Sequence, residues 1–197
     1  MIKRFSASSI RNGQKTTKLW DQVSTVGDFE SIATVTIPAG GALSADFTSI
    51  PQTYTHLQIR MIGRTANAYT DDNIHFRFNS DSGNNYAYHY FYGTGSGGVA
   101  TGATASYSLA IPFRVAGGNS SANMFGNGIC DILDYTNTNK LTTIRSLTGH
   151  DQNGSGLLFF FSGLWLSTAA ITSISLFFSA SINLAQNTTF ALYGIKA

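Results

Sequence analysis

Cysteine, proline and charge are what this 197-residue chain has least of: one Cys, three Pro, and 11% charged residues. With Cys130 alone no intrachain disulfide can form, so folding does not depend on an oxidising compartment. Set among Gly128, Ile129 and Ile132, it reads as a small core residue. Ordinary soluble domains carry about 25% charged residues; here Ser, Thr, Asn, Gln and Gly must cover the surface instead, which suits a protein that lives in an assembly or outside a cell. The net charge of +2 comes with no stripe of Lys and Arg, so no nucleic-acid partner is expected. The apolar run Leu157-Leu-Phe-Phe-Phe161 stops at Ser162-Gly163, far short of the roughly 20 residues of a spanning helix, so membrane insertion is not expected. The segment Met1 to Ile10 is basic without an apolar stretch, and predicts no secretory signal.

What the chain does have is alternation. In Tyr54-Thr-His-Leu-Gln-Ile-Arg-Met-Ile-Gly-Arg64, Leu57, Ile59 and Met61 point one way, and His56, Gln58, Arg60 and Arg64 the other. That period of two is a half-buried strand. Ile74 to Phe78 and Tyr107 to Val115 repeat it. The spacing predicts strands over about 29–37, 43–48, 54–65, 73–79, 86–92, 106–115, 123–133, 141–149, 157–166, 171–179 and 189–196. Turn chemistry separates them: Pro38-Ala-Gly-Gly41, Ile50-Pro51, Ser80 to Asn85, and Asn153-Gly154. Short strands at this spacing, without a helical period, predict an all-β fold: an antiparallel jelly-roll-type β-sandwich over 29–197.

Residues 1–28 have neither period. They hold Lys3, Arg4, Arg11, Lys15 and Lys18, five of twelve basic residues, opposed by Asp21 and Asp28. Arg4, Phe5, Ile10, Arg11, Leu19 and Trp20 are the anchors of a basic arm with no core of its own, which either stays disordered or is ordered by a partner. The expectation is an extended N-terminal anchoring arm, with Trp20 too costly to leave in water.

Nucleophile-and-base chemistry finds little footing, and the expectation is a non-enzymatic chain with no catalytic, cofactor or metal site. His56 and His75 fall on polar strand faces, and His150-Asp151 is the one adjacent His/acid pair. Metal binding needs three or four convergent ligands. Asp71-Asp72-Asn73 and Asn79-Ser-Asp81 offer oxygen ligands, but lack the spacing of a calcium loop and read as turn residues. Gly93-Thr-Gly-Ser-Gly-Gly98 lacks the helix and Lys-Ser/Thr of a phosphate cradle and reads as a flexible loop.

Tyr86, Tyr88, Tyr90 and Tyr92 alternate and therefore share one strand face. Four phenols in a row suit a wet interface or sugar stacking, and equally a wide sheet face filled with rings whose hydroxyls reach the rim. Both readings stand, so the four form a candidate ligand face. The aromatic excess (13%) and Phe177-Phe178 further predict a homo-oligomer, a trimer favoured.

Phe29 to Ile37, Phe47 to Arg60, Asp131 to Lys140, Ser162-Gly-Leu-Trp165 with Thr168 to Ile174, and Phe190-Ala-Leu-Tyr-Gly-Ile-Lys196 together resemble a family of small tailed-phage virion proteins of the cyanophage and marine-phage type, tail-fibre-like or capsid-decoration-like. Ser9 to Lys15 is similar to their short leaders. The resemblance spans about residues 29–197. It implies a non-enzymatic virion structural protein, assembled in the host cytoplasm and displayed on the particle surface beside other virion proteins. It would be a tail fibre or tail-attached adhesin component, or a capsid decoration protein. The alternative is a carbohydrate-binding module recognising host surface glycan through the tyrosine strand.

Overall fold

The computed structural model describes residues 28–94, 99–178 and 181–196. The arm residues Arg4, Phe5, Ile10, Arg11, Leu19 and Trp20 lie outside them. The described residues form twelve strands and no helix. They are β1 (Phe29–Thr36), β2 (Ser44–Phe47), β3 (His56–Gly63), β4 (Asp71–Phe78), β5 (Tyr86–Thr94), β6 (Val99–Tyr107), β7 (Ala110–Ala116), β8 (Gly126–Leu133), β9 (Thr142–Asp151), β10 (Gly156–Trp165), β11 (Ile174–Phe177) and β12 (Thr189–Ile195). They make two antiparallel sheets, an eight-stranded one in the order β1-β12-β3-β8-β9-β10-β5-β6 and a four-stranded one in the order β2-β11-β4-β7. The fold is a β-sandwich.

The chain alternates between the layers. β1, β3, β8 and β12 belong to the large sheet and β2, β4, β7 and β11 to the small one; the hairpins β5–β6 and β9–β10 complete the large sheet, and β7 packs over β9 and β10. The alternating strands supply the filling. Leu57, Ile59 and Met61 of β3, Cys130 and Ile132 of β8, and Phe159, Phe161 and Trp165 of β10 meet Ile74, Phe76 and Phe78 of β4 and Phe113 and Val115 of β7. Cys130 is fully buried, and burial pushes its thiol pKa up.

Two expectations change here. The stretch 106–115 is not one strand: it breaks at Ser108-Leu109, and its halves belong to different sheets. The glycine-rich stretch from Gly93 is not simply a loop, because β5 runs through Gly93 and Thr94 and pairs with β6. β6 carries almost no large apolar residue, so no period reveals it. Its Gly102 leaves room for the Tyr90 ring: a Cβ there would lie 2.3 Å from the ring's outer edge, and the ring would have to move.

Edge strand β7 has its backbone satisfied from the other layer. Ser146 Oγ of β9 donates to the Pro112 carbonyl, and Thr148 Oγ1 accepts from the Arg114 amide at 3.0 Å. Pro112 loses no ladder bond at such an edge, and the hydroxyls block a row of groups that could otherwise recruit another strand. Arg64, expected on a plain polar face, donates to four backbone carbonyls, those of Gly118, Ser120, Ser121 and Met124, at 2.8 to 3.0 Å, and so organises the loop before β8.

Candidate interaction face

Pleating sends alternate residues of the large sheet outward, and the register aligns them in rows. One row runs Arg60, Ile129, Leu147, Phe160, Phe91, Thr101 across β3, β8, β9, β10, β5 and β6. The next holds Ile62 and Leu158, with Asn127, Gly149 and Gly93 between and beside them. Ile62 and Leu158 are 57% and 60% exposed, and Ile129, Leu147 and Phe91 are similarly open. Phe91 and Phe160 lie ring to ring at 5.3 Å. The adjoining row is polar: Gln58, Asp131, Arg145, Ser162 and His89. Gln58 donates to Asp131 at 2.8 Å. Arg60 sits about 5 Å from the stacked rings of Phe29 and Tyr193.

Two shallow grooves cross this face. One of about 510 Å³ is lined by His89, Phe91, Thr101, Gly102, Phe160 and Ser162. The other, about 470 Å³, runs along Arg60, Ile129, Leu147, Gly149 and Leu158. Both are mainly apolar.

The tyrosines divide. Tyr86 is fully buried and its Oη accepts from the Phe78 amide at 2.9 Å. Burial raises its pKa beyond the usual phenol range. Tyr88 is 4% exposed, packed on Phe161 at 5.3 Å. As candidate ligand residues Tyr86 and Tyr88 are therefore corrected to core: their face of β5 points inward, against the small sheet. Tyr90 and Tyr92, half-buried on the same side, stack on Phe159 and beneath the Arg114 guanidinium. β5 makes little contact with edge strand β7, which leaves this end less covered. The exposed aromatic of β5 is Phe91, of opposite parity to the tyrosines. The run Leu157 to Phe161 was the available signal, because a strand apolar at every position is apolar on both faces.

The remaining titratable groups hold structure. His150 and Asp151 point to opposite faces of β9: His150 is buried, and Asp151 is exposed and accepts from the Asn153 amide at 2.8 Å. They are neighbours in sequence and not a pair in space. Burial lowers the His150 pKa. His75 lies between the rings of Phe177 and Phe178, where burial lowers its pKa to about 4. His56 Nδ1 accepts from the Asp134 amide.

The acids are engaged as well. Asp72 accepts from Thr65 and from the Asn73 amide, Asp71 is paired with Arg114, and Asp81 accepts from Trp165 Nε1 at 2.7 Å, from Asn85 and from the Gly83 amide. Among the described residues no three His, Cys, Asp or Glu side chains converge on a metal position. No protein-family model, curated protein or solved structure matches the chain.

Proposed function

We propose that this chain is a virion structural protein of the tailed-phage type it resembles: a non-enzymatic β-sandwich held on the particle surface by its N-terminal arm, among other virion proteins and further copies of itself. The alternating strand order, read as a jelly roll with two added hairpins, suits such a display module. The observation that carries the reading is the outer face of the large sheet. A charge-poor sandwich that presents Ile62, Ile129, Leu147, Leu158 and Phe91 outward is built for contact with protein surfaces. The acids that could have served chemistry, Asp71, Asp72 and Asp81, are engaged in hydrogen bonds and one ion pair.

Electron microscopy of virions carrying labelled protein tests this directly, and separates tail from head. Deleting residues 1–25 is expected to leave a folded sandwich that no longer joins the particle; incorporation at wild-type level would remove the anchoring role of the arm. The glycan alternative keeps only Tyr90 and Tyr92 of its original face, and binding on an array of host glycans would favour it.

A further inference from the structure

We propose that the outer face of the eight-stranded sheet is covered by the same face of a second copy of this chain, the two related by a two-fold axis running along the boundary of β8 and β9. The proposal rests on the reading of the chain as a component that works in copies, and it replaces the threefold expectation with a two-fold one.

Area comes first. With strands about 4.8 Å apart and about 3.4 Å per residue, six strands by three outward rows cover roughly 600 Å² in projection. Side-chain relief brings that near the roughly 800 Å² per partner of a stable interface. The centre of the face is apolar and its margin polar, as in interfaces whose core excludes water. The other exposed large apolar side chains among the described residues are Phe29, stacked on Tyr193 beside Arg60, and Leu43, Tyr69, Tyr107, Leu141 and Leu166, none of which belongs to these rows. A threefold contact would need a different second patch to receive this one, whereas a two-fold contact needs the same patch twice.

Charge comes second. Asp131 and Arg145 are direct cross-strand neighbours on β8 and β9, one row from Ile129 and Leu147. An axis between those strands sets Asp131 against Arg145 of the second copy, and Arg145 against its Asp131. It also sets Ile129 against the second copy's Leu147, and Arg60 against its Phe160. The face is thus complementary to itself in charge and in apolar content.

The test is sedimentation of the full chain at about 10 µM, above the dissociation constant of an ordinary specific interface. The expected mass is twice the chain's 21.1 kDa. Leu147→Asp should give a folded monomer, with circular dichroism confirming the sheet. Arg145→Asp should weaken association at least about tenfold, and the double variant Asp131→Arg/Arg145→Asp should restore it. A monomeric or trimeric wild type, a dimer indifferent to Leu147→Asp, or a double variant no better than Arg145→Asp would each overturn the proposal. So would a monomer that floats with phosphatidylcholine vesicles, since the face would then take a membrane. A dimer absent from virions would instead defeat the virion reading and leave this one standing.

Discussion

On the four-stranded sheet the residues that point outward include Ser44 and Asp46 of β2, Ser175 and Phe177 of β11, Asp71, Asn73, His75 and Arg77 of β4, and Arg114 of β7. On the eight-stranded sheet, Ile62, Ile129, Leu147, Leu158, Phe160 and Phe91 point outward from β3, β8, β9, β10 and β5. One sandwich therefore has one outer face that water can cover and one that it covers poorly. The inner faces are alike, so folding the single chain does not explain the difference. A strand that needs only one covering layer alternates, as β4 does. A strand with an unbroken apolar run, as β10 has in Leu157 to Phe161, calls for a second layer.

The widest separation should come from neighbouring residues of β10. Phe161→Ala, on the inner face, is expected to cost about 3–5 kcal/mol in urea unfolding. Leu158→Ser, on the outer face, should change the stability of the dilute monomer by no more than about 0.5 kcal/mol. Equal costs would mean that the outer face supports the isolated fold.

Next in size is a pH effect centred on the small sheet. The folded-state pKa of His75 is about 4, below the ordinary 6.5. The unfolded chain therefore binds the extra proton between those values, and stability should fall as pH drops through that window, by about 3 kcal/mol. His75→Phe should flatten the profile, leaving the contribution of the same sign from buried His150. A wild-type profile flat from about pH 4 to 6.5 would show His75 to be solvated.

Arg64→Ala should cost about 2 kcal/mol and speed hydrogen exchange across 117–124, because four carbonyls lose a charged donor. Thr148→Val should cost about 1 kcal/mol and deprotect the Arg114 amide, exposing the β7 edge. Unchanged exchange at Arg114 would show that β7 needs no capping from β9. The smallest expected effect is that of a chelator: with Asp71, Asp72 and Asp81 hydrogen-bonded or ion-paired, EDTA should leave the melting temperature where it was.

Much of the sandwich was legible in order. The strands β3, β4, β9 and β10 fall within a residue or two of their alternating segments, β8 starts three residues later than expected, and Asn153-Gly154 does turn the chain between β9 and β10, with left-handed backbone at both residues. β6 was not legible, because Ala, Gly and Thr carry no apolar period, and the place of Gly102 under the Tyr90 ring shows only in three dimensions. The tyrosine strand was half legible. Its alternation places all four phenols on one side, but which side faces the small sheet depends on where β4 and β7 lie.

The local pattern of side chains was enough to specify strands, turns and two-layer architecture, because period two and left-handed turn residues act over a few neighbours. Which apolar row is inside was settled by the pairing of distant strands. Leu157 to Phe161 offers two equally apolar faces, and only the arrival of β7 over β9 and β10 buries Phe159 and Phe161 while leaving Leu158 in water. The same long-range step gathered Ile62, Ile129, Leu147 and Phe91 from four separate strands into one patch, and set Asp131 beside Arg145. None of these neighbours is near the other in the chain, so no window of sequence contains the face they make.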